Sequence, residues 1–307
     1  MTDASRPLRL GTRRSALART QSGHVATWLR EHGHAVELVD IVTEGDVSRA
    51  PLTQIGGTGV FVSALRDALR TGKVDLAVHS MKDLPTQSEP GLVVAAVPPR
   101  QDPRDALCAR DGLTLAGLPA GAAVGTGSPR RAAQLRVVRP DLRVVPVRGN
   151  VDTRLATVRD GVLDAVLLAG AGLARLGRLA QATELLEPAM MLPAAGQGAL
   201  AVECRADRVD VRQALAALDD ADTRVATTAE RSLLALLEAG CTAPIGALAL
   251  VRGNDLELEG FLGTEEDGQT RHAENLASRR ARMIGPRAEP VALARRLARQ
   301  LSWDVTA

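Results

Sequence analysis

The sequence predicts an α/β protein in which one α/β domain is inserted into another and a small α+β domain follows. Three observations predict this. Short apolar runs alternate with helix-period stretches through roughly the first 200 residues, the pattern of α/β layers with largely parallel sheets. Two breaks, Pro98-Pro99-Arg100-Gln101-Asp102-Pro103 and Leu192-Pro193-Ala194-Ala195-Gly196, flank one such unit and read as a two-segment hinge. The last third then changes pattern, with a long helix followed by alternating runs.

Taken in order, strands are expected at residues 8–10, 36–42, 74–79, 92–97, 123–126, 143–147 and 164–169, each a short apolar run bounded by turn residues. Helices are expected between them at 15–30, 62–70, 130–138, 151–159 and 209–218, where apolar residues recur at three- and four-residue spacing. In the last third a helix at 222–238 leads into Gly240-Cys241. Alternating runs at 247–251 and 256–261 follow, and then a basic helix near 290–301. The expected domains are 1–99 with 195–219, then 100–194, then 220–307.

Composition removes several functions. Of 307 residues 45% are apolar, but there are only two Trp, two Phe and no Tyr. Cores must therefore be built from Ala, Val and Leu, and the stacking platforms of single-stranded nucleic-acid binding are missing. A net charge of +2 recruits neither DNA nor an acidic membrane, so no nucleic-acid or membrane partner is expected. No apolar run is long enough to span a bilayer. The first residues lack the apolar stretch of a signal peptide, and Cys108, Cys204 and Cys241 form an odd, scattered set. A cytosolic protein without a disulfide framework or zinc site is expected. Glu31-His32-Gly33-His34 sits in a polar turn after a helix and reads as solvated histidines rather than metal ligands.

The arginines carry the functional signal. In open α/β sheets ligands bind beyond the carboxyl ends of the strands, where helix N-termini offer unpaired N–H groups. Arginine recurs there. The strand at 8–10 runs into Gly11-Thr12-Arg13-Arg14-Ser15, with Ser15 a candidate N-cap. The strand at 123–126 runs into Gly127-Ser128-Pro129-Arg130-Arg131, with Ser128 as cap and Pro129 suited to the first helical position. The strand at 143–147 is followed by Arg148-Gly149-Asn150-Val151-Asp152-Thr153-Arg154, and that at 164–169 leads toward Arg175. Surface solvation accounts for any one of these arginines. Four junctions together suit a small molecule with several carboxylates, because each guanidinium binds one bidentately. No Walker-type loop points instead to a nucleotide.

One acidic residue stands among the cations. The strand at 74–79 ends in Ser80-Met81-Lys82-Asp83-Leu84-Pro85, placing Lys82 and Asp83 at the same edge. Asp83 suits stabilisation of developing positive charge or proton exchange; it equally suits a turn or cap before Pro85. His79 reads as a buried histidine or a catalytic one. Cys108 and Cys204 fall in apolar, strand-like runs and read as small core residues. Cys241 follows a helix in the turn Gly240-Cys241-Thr242-Ala243-Pro244, where a thiol can be presented to a ligand.

These motifs resemble the porphobilinogen deaminase (hydroxymethylbilane synthase) family. The resemblance lies in Val78-His79-Ser80-Met81-Lys82-Asp83-Leu84-Pro85, Gly125-Thr126-Gly127-Ser128-Pro129-Arg130-Arg131, Arg148 to Arg154, Ala171-Gly172-Leu173-Ala174-Arg175, Leu192-Pro193-Ala194-Ala195-Gly196-Gln197-Gly198 and Leu237-Glu238-Ala239-Gly240-Cys241-Thr242-Ala243-Pro244. They run in family order over about four-fifths of the chain, from Arg9 to Gly246. The resemblance implies two similar α/β domains like two-lobed binding proteins around a cleft, plus a small α+β C-terminal domain with the cysteine loop. It implies a dipyrromethane cofactor held as a thioether on Cys241, porphobilinogen as substrate, and a monomer. Asp83 matches the catalytic acid. Lys82, Asp83, Thr126, Ser128, Arg130, Arg131 and Arg154 match cofactor contacts; Arg13, Ser15, Phe61, Arg148, Arg154, Arg175 and Gln197 match substrate contacts. Thr58 stands where many members carry lysine, and Pro129 where leucine is common. A two-lobed polyanion-binding or sensor protein without chemistry is the alternative; it leaves Asp83 and the turn cysteine without a role.

Overall fold

The computed structural model describes residues 6–42, 59–237, 244–263 and 278–302, with the backbone only for 59–61. The chain forms two compact units, one of residues 1–101 and 199–224, the other of 102–198 and 225–307.

Unit 1 is built on a five-stranded sheet of order β2-β1-β3-β10-β4, comprising β1 (Leu8–Thr12), β2 (Val36–Asp40), β3 (Leu76–Ser80), β4 (Leu92–Ala96) and β10 (Leu200–Arg205). β1 runs parallel to β2 and β3, whereas β10 is antiparallel to both β3 and β4. Four of its five strands therefore share one direction, so the sheet is largely parallel, as the sequence predicts, with β10 the antiparallel strand. The antiparallel strand is the one that enters as the chain returns from unit 2, and no crossover helix turns it round.

Strict alternation gives β3 two faces. Leu76 and Val78 pack with Leu10, Val25, Leu29 and Val202 against α1 (Ala16–Glu31) and α6 (Val209–Ala216), while Ala77 faces Leu65 and Leu69 of α2 (Gly59–Arg70). Helix α1 forms because Ser15 caps it and buried Gln21, Ser22, Val25, Ala26 and Leu29 make one stripe. It stops before Gly33, whose φ of +85° suits glycine. Burying each Val or Leu of that stripe is worth about 1.5–3 kcal/mol.

Two buried ionic clusters tie unit 1 together. Asp75, its side chain 1% exposed, accepts from the backbone N–H of Arg9 at 2.9 Å and from the guanidiniums of Arg6 at 3.0 Å, Arg9 at 3.1 Å and Arg208 at 2.8 Å. Burial alone would raise its pKa, but the Arg9, Arg208 and Arg6 contacts hold it well below the usual carboxylate range. Asp75→Asn should therefore cost about 1.5–3 kcal/mol at pH 7, since Arg9 and Arg208 lose a buried charged acceptor and keep the Gly72 carbonyl and Asp210. A depressed pKa stabilises the fold above the unfolded value of about 3.9, so the gap between wild type and variant should begin to narrow as pH falls below about 4 and vanish only well below that, at the folded value. Denaturant melts of both proteins between pH 7 and pH 3 check this; a gap that does not change with pH would remove the charge argument.

The second cluster is Arg66, which donates to Glu203 at 3.0–3.2 Å and to Glu89 at 3.1 Å. His79 Nε2 stands 3.3 Å from Glu203 but poorly aligned for a hydrogen bond. Burial would raise the Glu203 pKa, yet His79 and Arg66 lower it. His79 is itself buried.

Unit 2 contains a second five-stranded sheet, β7-β6-β8-β5-β9, from β5 (Asp105–Ala109), β6 (Ala123–Gly125), β7 (Arg143–Val145), β8 (Ala165–Ala169) and β9 (Glu184–Leu186). β6 is parallel to β7 and β8; β5 is antiparallel to β8. Its helices are α3 (Pro129–Val138), α4 (Val151–Arg159) and the short α5 (Gly170–Arg175). The apolar runs around Cys108 and Cys204 are strands β5 and β10, and both thiols are buried and free, their pKa pushed up to about 11 by burial.

The remainder of unit 2 is a three-stranded antiparallel meander, β11 (Ile245–Arg252), β12 (Asp255–Leu262) and β13 (Arg279–Pro286). Helices α7 (Ala221–Leu237) and α8 (Pro290–Ser302) cover one face through Ala229, Leu233, Leu293, Leu297 and Leu301. β13 escaped the sequence reading because four of its eight residues are Arg or Pro. Its Ala281 and Met283 nevertheless face the core, and Arg280 and Arg282 pair with Glu259 and Glu257 on the other side.

Candidate active site

In unit 1, β1 and β3 are parallel neighbours, so Arg13 and Ser15 after β1 share an edge of the sheet with Lys82 and Asp83 after β3. Ser15 Oγ caps α1 by accepting from the Ala18 N–H at 3.3 Å, which leaves its hydroxyl hydrogen to donate elsewhere. Buried Gln21 donates to Ser80 Oγ at 2.8 Å and anchors the end of β3. A single 3-10 turn, Met81–Asp83, follows. Met81 and Leu84 are buried in a cluster with Val62 and Val97, while Asp83 is exposed. Among the described residues the Asp83 carboxylate takes no hydrogen bond or ion pair, so it caps nothing. The apolar residues hold the turn and the carboxylate is left to solvent or a ligand.

Unit 2 gathers most of the arginines. The carboxyl ends of parallel β6, β7 and β8 lie along one edge and lead into α3, α4 and α5. Ser128 Oγ caps α3 through the Arg131 N–H at 3.4 Å, Pro129 takes the first helical position, and Asn150 caps α4 through the Thr153 N–H at 2.8 Å. Buried Thr126 accepts from the Ser128 N–H at 3.1 Å. Two glycines make these turns possible. A Cβ on Gly127 would sit 2.7 Å from the Val147 carbonyl oxygen, and Gly149 has a φ of +104°.

Arg130 and Arg131 are both 5% exposed and share one carboxylate, Asp105, which is fully buried at the start of β5. Arg130 also donates to the Leu192 carbonyl at 2.6 Å and Arg131 to that of Leu167 at 2.9 Å. Burial lowers the Arg130 pKa, and Asp105 opposes that fall. Gln197 is buried too, its amide donating to Asp105 at 2.9 Å and to the Pro103 carbonyl at 2.7 Å. Both amide hydrogens are thus engaged within the protein.

The other guanidiniums differ. Arg154 donates to the Gly149 carbonyl at 2.9 Å and Arg175 to that of Gly198 at 2.6 Å, while Arg148 is exposed. None of the three has a carboxylate partner among the described residues. Burial lowers the Arg154 pKa, with the nearby Arg131 charge adding to it, and burial pushes Arg175 down to about 10. The Nε atoms of Arg175 and Arg130 are buried with no acceptor among the described residues. Such orphaned donors cost about 1–3 kcal/mol each, which an incoming carboxylate offsets. This donor set fits a ligand bearing several carboxylates.

Asp105 was missed by sequence reasoning, though a signal existed: an Asp heading an apolar strand must be paired when buried. Cys241, Thr58 and the Phe61 side chain lie outside the described residues. The other phenylalanine, Phe261, is core, packed with Ala133, Leu192 and Leu248. Among the described residues no group of His, Cys, Asp and Glu could hold a metal ion, and no helix is long and apolar enough to cross a membrane.

Comparison with known proteins bears on this site. A family model described as porphobilinogen deaminase, dipyromethane cofactor binding domain, matches residues 8–213, and one for the porphobilinogen deaminase C-terminal domain matches 225–302. Porphobilinogen deaminase 1 of Streptomyces coelicolor is 59% identical over 86% of this chain and 85% of its own. The porphobilinogen deaminase of Nocardia farcinica is 56% identical over 96% and 85%, and that of Thermobifida fusca 55% over 97% and 93%. Among solved structures, the periplasmic aliphatic sulphonate binding protein SsuA of Escherichia coli aligns at 14% identity and a TM-score of 0.41, over 75% of this chain and 70% of that one. With both domain models matched and identity above half across most of its length, the chain belongs to the porphobilinogen deaminase family.

Proposed function

We propose that the protein is a hydroxymethylbilane synthase. It condenses four porphobilinogen molecules head to tail with loss of ammonia onto a dipyrromethane bound through a thioether to Cys241, and then releases hydroxymethylbilane by hydrolysis. One observation carries the reading: among the described residues the Asp83 carboxylate takes no hydrogen bond or ion pair, and Arg148, Arg154 and Arg175 have no carboxylate partner. Porphobilinogen has an acetate, a propionate and an aminomethyl group, so it needs both. When bound, the dipyrromethane supplies the free pyrrole α-carbon that primes chain growth.

The protein's own residues do the rest. Asp83 holds pyrrole N–H groups and stabilises the positive charge that appears as ammonia departs from porphobilinogen. It also takes and returns protons at the amine and the α-carbon. Arg130, Arg131 and Arg154 hold carboxylates of the cofactor, with Lys82, Thr126 and Ser128; Arg13, Ser15, Arg148, Arg154 and Arg175 hold those of the substrate, with Phe61 and Gln197 as further substrate contacts. Each adds positioning, and the desolvated ones give most because water does not compete. Division into domains 1–99 with 195–219, 100–194 and 220–307, and a monomer working in the cytosol, complete the proposal.

Incubation with porphobilinogen tests it. One ammonia should appear per porphobilinogen consumed, with one linear tetrapyrrole per four. Saturable binding without ammonia release would favour the two-lobed binding protein instead.

A further inference from the structure

Arg130 and Arg131 occupy the first turn of α3, where the helix dipole disfavours cations and where the helix has no acidic residue. Two adjacent guanidiniums buried against that dipole need a fixed counter-charge, and Asp105 is placed to be one. Its Oδ1 accepts from Arg131 Nε at 3.0 Å, from a terminal Arg131 nitrogen at 2.7 Å and from Gln197 Nε2 at 2.9 Å. Its Oδ2 accepts from Arg130 at 2.7 Å. The backbone beneath it is held on both sides, Asp105 pairing with Ala169 of β8 and Leu186 of β9. The preceding Arg104 carbonyl accepts from the Gly170 N–H at 3.0 Å. A carboxylate anchored in mid-sheet thus fixes the direction of both guanidiniums. Two cations sharing one anion still leave one positive charge, and Arg130 Nε remains buried with no acceptor among the described residues.

We propose that Asp105 is a positioning residue for cofactor capture, presetting Arg130 and Arg131 so that their remaining N–H groups meet the cofactor's carboxylates without reorganisation. The proposal rests on the functional reading above. A purely electrostatic role predicts the opposite outcome on mutation: removing Asp105's negative charge would make the site more cationic and bind a polyanion better. Positioning predicts slower capture despite the greater positive charge.

The test compares Asp105→Asn with Asp75→Asn. Both remove a buried carboxylate that holds several arginines, but Asp75 precedes β3, at the opposite end of that strand from Asp83. The intact mass of each purified protein reports bound dipyrromethane. The rate at which cofactor-free protein gains that mass on incubation with porphobilinogen reports capture. Asp105→Asn should gain it roughly 10–100-fold more slowly than wild type, the range found when a group that orients metal-binding side chains is lost. Asp75→Asn, though destabilised, should gain it at a near-normal rate. Equal capture by Asp105→Asn and wild type, or equal loss in both variants, overturns the proposal. Wild type lacking the added mass would instead defeat the functional reading. Should Asp105→Asn prove insoluble, Asp105→Glu keeps the negative charge and displaces the carboxylate by one methylene. A several-fold slower capture then supports the proposal and an unchanged rate overturns it.

Discussion

Turnover of Asp83→Asn should fall by at least about 10²-fold while its affinity for porphobilinogen changes far less. Asn keeps nearly the same volume and still accepts a hydrogen bond, but it removes the negative charge and the capacity to move protons. The charge that Asp83 is proposed to stabilise exists only as ammonia departs, so its loss weighs on the transition state more than on the resting complex. Acid–base help alone is worth roughly 10²–10⁴-fold, and charge stabilisation adds to it. Asp83→Glu, charged but one methylene too long, should retain more activity than Asn. Folding is not expected to suffer, because Asp83 is exposed and its turn is held by Met81 and Leu84. Single-turnover rates, measured on protein confirmed by mass to carry cofactor, decide the matter. Near-normal turnover in loaded Asp83→Asn would reduce Asp83 to a turn residue before Pro85.

Cys241→Ser should abolish covalent loading, leaving a folded chain with the mass of its sequence alone. A serine hydroxyl is a far poorer nucleophile than a thiolate, so the thioether does not form. Cys108→Ser and Cys204→Ser should keep the mass of one dipyrromethane. Both thiols are buried, one in each five-stranded sheet, and burial raises their pKa to about 11, which suppresses the reactive thiolate. Intact mass of the three variants is the measurement. An added mass on Cys241→Ser, or its loss from Cys108→Ser alone, would move the attachment point elsewhere.

Much of the edge that carries the candidate site was legible in the sequence because its cues are local. Ser15, Ser128 and Asn150 were readable as caps, and Pro129 as a first helical residue, since a cap is a bond between a side chain and a backbone N–H three residues on. The arginines after the strands could be placed at one edge because parallel strands share a direction. β13 was not legible, because four Arg or Pro residues among eight mask its apolar alternation. β9, three residues long, is too short to show a period.

By itself the sequence determined which residues stand at the carboxyl ends of β1, β3, β6, β7 and β8, because short-range periodicity and capping set those elements. Only the tertiary structure decided what each charged side chain meets there. Asp105 is 25 residues from Arg130 and 92 from Gln197, and Asp75 is 133 from Arg208. The antiparallel placement of β5 and β10 likewise comes from strands distant in the chain. Pairing at such separations depends on how sheets assemble, and it leaves no mark in any local window of sequence. This is why two arginines that look alike in sequence, Arg131 and Arg175, end as a buried ion pair and a guanidinium with no carboxylate among the described residues.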